Sequence, residues 1–461
     1  MNAALDYARA HGEQFVDQLN DLLRIPSIST DSQYDGDVRQ AAEWLRSDLE
    51  RIGMPRAELM ETPGHPIVYA ERIEDPALPT VLIYGHYDVQ PPDPLELWES
   101  PPFEPVIRDG VLYARGTADD KGQLFMHVKA IEAYLATEGA LPVNLKIMLE
   151  GEEESGSTSL VPFIEQHQDL LAADTVLISD TALFAPGVPS LVYGLRGMAY
   201  VEVTLTGPNR DLHSGVYGGA VENPINALCR LIAGAHDEQH RITIPGFYDH
   251  VRDLTEEERE GYRKLPFDEA DWKEEIGVEH TKTEAGYTML EGTSARPTLD
   301  VNGIWGGYTG EGAKTVLPAK AHAKISCRLV PDQTPDEITE KLRRYFEANT
   351  PETMTLTFKN LHGGHGALID TSAPAMQAAA KAMQGVFGRE PLFTREGGSI
   401  PVVADFKRIL GLDSVMMGFS LDSDAIHSPN EHFALERFHQ GIEASIRFMD
   451  AYAQQTNGTA A

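Results

Sequence analysis

Cysteine is scarce in this sequence: Cys229 and Cys327 are the only two in 461 residues. So few thiols exclude a disulfide scaffold and a metal site built from cysteines, because both need several cysteines at short spacing. We expect both to be small, buried side chains, and a reducing compartment is the simpler setting for such a chain.

Positively charged residues and long apolar runs are also scarce. Lys and Arg number 38 against 71 Asp and Glu, which gives a formal net charge of −33. Such a chain repels phosphate backbones and anionic lipids, so nucleic acid is excluded as a partner. No apolar run approaches the roughly 20 residues that span a bilayer. Residues 1–27 combine helical spacing with acids, unlike a secretory leader, so we expect a cytoplasmic protein without membrane contact.

The chain is long enough for two domains of roughly 100–200 residues each. Short apolar runs typical of buried strands alternate with helical patterns, which predicts an α/β domain with a mixed sheet and helices on both of its faces. The runs are 80–85, 143–150, 175–180 and 414–419, and the helical patterns are 122–136 and 160–171.

After about residue 192 the pattern changes. MAYVEVTLTG and AHAKISCRLVP alternate like half-exposed strands, while NPINALCRLIAGAH and PDEITEKLRRYFEAN have amphipathic helical spacing, which is typical of an α+β module. We predict a first domain in two parts, 1–192 and 374–461, with an inserted α+β module, 193–373. Within the insert, residues 238–305 form a long excursion rich in charge and turns.

Polar side chains gather where the apolar runs end, and two aspartates stand just before a predicted helix. Because ligands bind outside the carboxyl ends of the strands in open α/β sheets, we expect these side chains to share one crevice. In chain order they are His86, Asp88, Asp119, Asp120, Glu150, Glu152, Glu153, Glu154, Asp180 and His427.

Each of these motifs alone has a simpler explanation. Asp119 and Asp120 in DDKG could cap a helix, and adjacent glutamates usually lie on a solvated face. Together, at consecutive strand ends, imidazole and carboxylate groups favour a metal centre instead. These ligand types suit zinc or manganese, and a carboxylate that bridges two ions builds a two-metal site.

Seven motifs occur in order from about residue 85 to residue 431: HYDVQ, GTADDKG, EGEEESGS, ISD, RDLHSGVYGG, REGGSIP and IHSPNE. In these motifs the chain resembles the M20 family of metallopeptidases, and within it the branch of cytosolic non-specific dipeptidases and carnosinases. A small departure is Ile426, where relatives often have Gly-Ala. The excursion 238–305 carries no motif with a chemical interpretation.

The resemblance implies two divalent metal ions per chain, with zinc as the first choice and manganese as the alternative. One ion would be held by His86 and Asp180 and the other by Glu154 and His427, with Asp119 shared between them.

The resemblance also assigns roles to neighbours of the ligands. Asp88 would orient His86 through a hydrogen bond. Glu153 would act as general base towards the water that attacks the amide carbonyl and would return the proton to the departing amine. The peptide bond between Asp119 and Asp120 is expected to be cis. We interpret the remaining acids of the cluster, Glu150 and Glu152, as structural.

Further motifs supply groups for the substrate. His213 would stabilise the oxyanion of the tetrahedral intermediate, in its own chain or from the partner in a homodimer. Arg328 alternates with apolar residues, so it either forms an ordinary salt bridge or binds the C-terminal carboxylate of the substrate, which the resemblance favours. Glu396 is a candidate for the substrate ammonium. Further candidates for substrate contact are Gly397, Gly398, Ser399, Asn302 and His365.

These residues and the resemblance together predict a two-metal hydrolase of dipeptides. The resemblance implies that 1–192 and 374–461 form the catalytic domain and that the insert 193–373 is a lid and dimerisation domain, whose closure would assemble the site. Glu396 and Arg328 would bracket a small peptide with a free amine and a free carboxylate. The alternative is a carboxypeptidase or an N-acyl-amino-acid amidohydrolase of the same family, which needs no acid for an ammonium group. A metal-free binding protein on the same fold would lack ligands or the base, and this sequence has them all.

Overall fold

A computed structural model describes residues 2–398 and 400–458. The chain divides into two compact units. The first unit comprises the chain up to Tyr193, Ile369–Thr394 and the chain from Asp405 onward. The second unit comprises Gly194–Leu368 and Arg395–Ala404.

The α-helices are α1 (Ala3–Ala10), α2 (Gly12–Leu23), α3 (Asp35–Arg51), α4 (Lys121–Thr137), α5 (Leu160–Gln166), α6 (Gln168–Leu171), α7 (Ser214–Tyr217), α8 (Pro224–Ala233), α9 (Glu256–Lys264), α10 (Glu269–Ile276), α11 (Met289–Ser294), α12 (Pro335–Asn349), α13 (Pro374–Phe387), α14 (Pro401–Asp405) and α15 (Leu435–Gly458). The strands are β1 (Arg56–Met60), β2 (Ile67–Arg72), β3 (Thr80–His86), β4 (Val106–Arg108), β5 (Val111–Tyr113), β6 (Asn144–Glu150), β7 (Thr175–Ile178), β8 (Ser190–Leu195), β9 (Gly197–Thr206), β10 (Leu212–His213), β11 (Thr298–Gly306), β12 (Val316–Leu317), β13 (Lys320–Leu329), β14 (Thr355–Gly364), β15 (Ala367–Leu368), β16 (Leu392–Glu396), β17 (Ser414–Met416) and β18 (His432–Ala434).

The large sheet of the first unit has the strand order β1-β2-β6-β3-β7-β17-β8. Its centre is parallel, because β3 pairs in parallel with β6 and β7, and β17 pairs in parallel with β7. The outer pairs β1-β2, β2-β6 and β17-β8 are antiparallel. Helices α3 and α4 pack on this sheet, and α15 packs against α4 and α13. The predicted α/β class with a mixed sheet flanked by helices is confirmed.

Burial in the first unit follows from the sequence. β3 and β6 are buried almost without interruption, as expected of parallel strands covered on both faces. α4 is buried on all sides from Lys121 to Tyr134, which explains why its sequence shows no clear polar stripe. The prediction of a single helix over 160–171 is wrong in one respect. The backbone leaves helical geometry at His167, with φ −117° and ψ 27°, and α5 and α6 are separate.

The second unit contains an antiparallel sheet with the order β11-β13-β9-β14. β9 and β13 alternate buried and half-exposed residues, and their buried side chains form one apolar cluster with α8 and α12. α8 begins where the Asn223 side chain accepts a hydrogen bond from the Ile225 N–H, with Pro224 in the first turn. Cys327 is buried, but Cys229 is exposed. The prediction of two buried thiols is therefore wrong for Cys229, which lies on the face of α8 opposite its buried residues.

Helices α9, α10 and α11 all belong to the excursion 238–305. α9 and α11 each begin with a capping box, from Thr255 and Glu258 and from Thr288 and Glu291. These paired side-chain and backbone hydrogen bonds satisfy N–H groups that the first turn of a helix leaves open. Among all the described helices, none has the length and apolarity needed to cross a membrane.

Candidate active site

The five predicted metal ligands lie in the first unit, close to the ends of its strands. His86 is the last residue of β3, and Asp180 comes two residues after β7 ends. Glu154 lies in the 3-10 turn Glu153–Ser155 that follows β6. Asp119 stands two residues before α4, and His427 comes before β18. Parallel strands end at one edge of a sheet, which is why residues so far apart in sequence meet there.

The ligand atoms form two groups that share Asp119. In the first group, His86 Nε2 lies 3.0 Å from Asp119 Oδ1 and 4.0 Å from Asp180 Oδ2. In the second, His427 Nε2 lies 2.9 Å from Asp119 Oδ2 and 3.2 Å from Glu154 Oε2. The two oxygens of Asp119 therefore face different imidazoles, as a carboxylate that bridges two cations must do.

Burial makes this concentration of acids costly unless positive charge balances it. Burial raises the pKa of Glu153 to about 7 and raises the pKa of Asp180 well above its ordinary value. Burial also opposes ionisation of Asp119, but hydrogen bonds to His427 and His86 outweigh it and hold the pKa of that carboxyl below its usual range. Hydrogen bonds to Asp119 and Glu154 raise the pKa of His427 to about 10. Divalent cations would supply the positive charge that balances these acids. Imidazole and carboxylate groups are good ligands for zinc and manganese, so the five candidate ligands fit a two-metal site.

Asp88 is fully buried and contacts both a ligand and the turn that carries another. Its Oδ1 lies 3.4 Å from His86 Nδ1, and that ring nitrogen is hydrogen-bonded to the Asp88 main-chain carbonyl oxygen at 3.2 Å; the orienting role of the Asp88 carboxylate stays a prediction. Its Oδ2 also accepts hydrogen bonds from Ser29 Oγ at 2.6 Å and from the Glu154 N–H at 3.0 Å, and its Oδ1 accepts one from the Glu153 N–H at 3.3 Å. Asp88 thus holds the Glu153–Glu154 turn as well, which the sequence did not indicate.

Glu153 and Glu154 differ in their surroundings although they are adjacent. Gln90 Nε2 donates to Glu154 Oε2 at 2.8 Å, the same oxygen that faces His427. The Glu153 carboxylate is half-buried beside it, and no hydrogen bond joins that carboxylate to another described residue. Glu154 is therefore engaged as a metal ligand would be, while the oxygens of Glu153 can accept a proton.

The other two acids of the cluster have structural contacts. The Tyr84 hydroxyl donates to the Glu150 carboxylate, and burial raises the pKa of Glu150 to about 8. Glu152 accepts hydrogen bonds from the backbone N–H groups of His65 at 3.3 Å and Ser159 at 3.1 Å. Both side chains stabilise the surroundings of the site.

Glu431 is the residue that sequence reasoning missed. It is fully buried, and its carboxylate accepts hydrogen bonds from Arg115 Nη1 at 2.8 Å, Gly116 N at 2.9 Å, Ala118 N at 2.9 Å and Asp119 N at 3.2 Å. Burial raises the pKa of Glu431, against the effect of Arg115 and the two N–H groups of Gly116 and Ala118. Because every partner is a donor, we interpret Glu431 as the anion that fixes the loop carrying Asp119. The only sequence signal was an acid inside IHSPNE.

The same loop is closely packed on α4. The peptide bond between Asp119 and Asp120 is cis, as the resemblance implied. A Cβ at Gly122 would lie 1.9 Å from the Thr117 carbonyl oxygen, so the loop can approach the start of the helix only where this position is glycine.

The residues predicted to bind substrate lie in the second unit, except Ser399, which is outside the described residues. His213 is exposed, and its Nδ1 accepts a hydrogen bond from the Gly215 N–H at 3.0 Å, which leaves the ring proton on Nε2. Arg328 is half-buried on β13. Asn302 lies where a bulge shifts the register of β11 against β13, and bulges commonly re-aim side chains.

Four further candidates lie in or beside two turns. His365 is exposed just after β14, and Glu396 is half-buried at the end of β16. The Gly397 carbonyl accepts a hydrogen bond from Arg196 Nε at 3.1 Å, and a Cβ there would lie 2.5 Å from the Thr293 carbonyl oxygen. Close packing within the unit thus explains why position 397 is a glycine. The neighbouring Gly398 is exposed.

A family model described as Peptidase family M20/M25/M40 matches residues 82–451. The chain is 34% identical to the Cys-Gly metallodipeptidase of Schizosaccharomyces pombe, over 96% of each chain. It is 30% identical to the Beta-Ala-His dipeptidase of Homo sapiens, over 98% of this chain and 93% of that protein. An M20 family metallo-carboxypeptidase from Sulfolobus solfataricus has a similar structure, with a TM-score of 0.83 and 34% identity over 95% of this chain and 99% of that chain. The likeness covers both units and every described candidate residue.

Proposed function

This chain belongs to peptidase family M20/M25/M40 and is a metallopeptidase, and on that premise we propose that it hydrolyses the peptide bond of dipeptides at a two-metal centre. The observation that carries the proposal is Asp119, whose two oxygens face His86 and His427. Two relatives that match along nearly their whole length are named as dipeptidases.

The proposed ligand sets follow the two groups around Asp119. His86 and Asp180 would hold one ion with one Asp119 oxygen, and Glu154 and His427 the second ion with the other. Zinc is the proposed ion and manganese the alternative, since both accept imidazole and carboxylate ligands. When bound, the ions would acidify a water molecule and polarise the scissile carbonyl.

Glu153 would accept the proton of the attacking water and deliver it to the departing amine. Its backbone N–H is held by Asp88 at 3.3 Å, so the main chain positions the residue while its carboxylate oxygens remain able to move a proton. His213, with its ring proton on Nε2, would donate to the oxyanion of the tetrahedral intermediate.

Two charged groups would select a dipeptide. The Arg328 guanidinium suits the C-terminal carboxylate because it can donate two parallel hydrogen bonds. Glu396 would bind the substrate ammonium. Asn302 and His365 would support the same contacts.

We also propose that the protein acts as a homodimer formed through its second unit. β11 is an edge strand, and Val301, Ile304 and Trp305 on it are exposed by 37%, 51% and 43%. An edge strand with exposed apolar side chains favours pairing with a second copy, since it offers both unpaired backbone groups and apolar surface.

A carboxypeptidase is the second candidate, because the Sulfolobus solfataricus structure is as similar in sequence as the Schizosaccharomyces pombe dipeptidase. The test uses protein stripped with a chelator and reloaded with zinc or manganese, and compares hydrolysis of Gly-Gln with that of N-acetyl-Gly-Gln. Metal-dependent cleavage of the free dipeptide alone would support a dipeptidase with Glu396 on the ammonium. Equal or faster cleavage of the acetylated form would favour the second candidate, and cleavage of neither with either metal would contradict both.

A further inference from the structure

The second unit contains a cavity of about 710 Å³, a volume typical of sites for small organic ligands. Most of the residues that line it lie between positions 236 and 302. The excursion 238–305, whose sequence suggested no chemistry, therefore builds much of the cavity wall. Asn302 and Arg328 also line it, which relates the cavity to the candidates for substrate binding.

Positive charge prevails in this cavity. Arg296 and Glu284 balance each other, because Arg296 Nε lies 3.0 Å from Glu284 Oε2 and Nη2 lies 2.8 Å from Oε1. The other charged residues of the lining are Arg196, Arg328 and Lys282 against Asp300. In a chain with a net charge of −33, an anion is repelled by most of the surface and attracted here.

Arg196 is a basic residue of the cavity lining whose side chain is held in place by hydrogen bonds. It is 8% exposed, and it donates from Nε to the Gly397 carbonyl at 3.1 Å and from Nη1 to the Arg296 carbonyl at 3.3 Å. Burial and repulsion from Arg328 lower the pKa of Arg196 to about 10, so the Arg196 guanidinium stays charged at neutral pH. An anion between the two guanidinium groups would relieve that repulsion.

The excursion also contributes apolar side chains to the lining of the cavity. Trp272 of α10 is half-buried there, and Ile276 and Val278 expose 48% and 40% of their surfaces. Lys282 follows four residues later and is exposed. A lining that combines apolar surface with several basic groups suits a ligand with a short aliphatic body and more than one negative charge.

We propose that this cavity binds a small organic anion with two carboxylates, the chemistry of an acidic amino acid. The inference rests on the proposed function, which offers two sources of this chemistry: a C-terminal aspartate or glutamate of the substrate, and the acidic amino acid released by hydrolysis. Arg196 and Arg328 would bind one carboxylate and Lys282 the other. Exchanging the second carboxylate for an amide removes a charge-assisted contact, which should weaken binding by about 10-fold.

Binding is measured by calorimetry, with L-glutamate and L-glutamine titrated into the chelator-treated full chain. Without metal ions no ligand carboxylate can coordinate a metal, so a preference for glutamate over glutamine reports the cavity. We expect glutamate to bind about 10-fold more tightly than glutamine. Lys282→Gln should remove most of this preference, because Lys282 would bind the carboxylate in which the two ligands differ. Arg196→Gln should weaken the binding of both ligands to a similar extent, because Arg196 would bind the carboxylate that they share, and Lys282→Gln decides the matter if Arg196→Gln does not fold.

Lys273→Gln is the matched control, because Lys273 lies on α10 and pairs with Glu269 at 3.5 Å but does not line the cavity. It should bind like the wild type. Equal affinity for glutamate and glutamine, or equal losses in Lys282→Gln and Lys273→Gln, would overturn the proposal.

Kinetics of the zinc-loaded enzyme then distinguish the two sources. A higher kcat/KM for Gly-Glu than for Gly-Gln assigns the anion to the substrate, while inhibition by free glutamate without such a preference assigns it to the product. Cleavage of Gly-Gln tests the proposed function separately. If it fails while selective glutamate binding remains, the dipeptidase activity is wrong and the anion site stands.

Discussion

Exchanging Glu431 for glutamine tests whether a buried carboxylate positions the candidate metal centre. All four groups that donate to Glu431 are N–H groups, from Arg115, Gly116, Ala118 and Asp119. The NH₂ of a glutamine would therefore face a donor in either orientation. The change also leaves Arg115, which is 1% exposed, without its acid. Breaking one side of a buried ion pair costs about 3–5 kcal/mol, and we expect the free energy of unfolding to fall by that amount.

The second effect concerns Asp119. Both Glu431 oxygens hold the main chain just before or at this residue, so their loss lets the bridging carboxylate move. Removing a partner that orients a metal ligand typically costs about 10- to 100-fold in metal affinity. We expect the zinc affinity of Glu431→Gln to fall within that range.

The assay is a zinc titration in competition with a chromophoric chelator, combined with urea unfolding of the metal-free protein. Glu436→Gln is the control, because Glu436 is an exposed acid in the first turn of α15, and it should behave like the wild type in both measurements. If Glu431→Gln is less stable but binds zinc like the wild type, the positioning role is refuted. If the free energy of unfolding of Glu431→Gln also equals that of the wild type, the ion pair between Arg115 and Glu431 does not contribute to stability.

Three other outcomes are expected. Glu153→Gln should lower kcat by about 10²–10⁴-fold at an unchanged zinc content, measured by steady-state kinetics and elemental analysis; a loss of zinc would point to a ligand instead. His127 lies 2.8 Å from the hydroxyls of Ser179 and Ser445, and burial lowers its pKa to about 4. The unfolded chain binds this proton already near pH 6.5, so stability should fall by up to about 3 kcal/mol from pH 6.5 to pH 4. His127→Gln should flatten that part of the slope in urea unfolding of the metal-free protein, and an unchanged slope would contradict the assignment. Ile304→Glu should convert the proposed dimer to a monomer in light scattering, and a persistent dimer would place the interface elsewhere.

The parts of the fold that the sequence predicted well are those encoded in one continuous segment. The runs 80–85, 143–150 and 175–180 are rich in apolar residues, and each coincides closely with a parallel strand of the central sheet, since such strands are buried on both faces. Residues at the ends of these strands, such as His86, could be placed in one crevice for the same reason. Local patterns and one topological rule thus brought these polar side chains together, and the resemblance to the M20 family selected the five candidate ligands among them.

The features that the sequence could not predict depend on contacts between distant residues. Glu431 reaches Arg115 across 316 positions, and nothing near either residue signals the pair. The cavity of the second unit likewise needs Arg196 and Arg328 together with the excursion. The excursion has the charge and turn content of a surface loop, and its contribution to a cavity becomes visible only in three dimensions. The exposure of Cys229 is a smaller case of the same kind, because the packing of α8 decides it.

Two buried acids that are not candidate ligands, Asp88 and Glu431, act on the candidate metal centre in the same manner. Asp88 accepts the backbone N–H groups of Glu153 and Glu154, and Glu431 accepts that of Asp119. In both cases a buried carboxylate fixes the main chain from which a ligand extends, and its own negative charge is compensated by donors that belong to the protein. The ligand segments therefore owe their positions to hydrogen bonds within the fold and do not have to be ordered by an ion. Small metal-dependent domains differ from this arrangement, because in them ion binding supplies the folding free energy. In the proposed site we expect the fold to set the geometry, and bound ions to supply the charge balance of the acids and the chemistry.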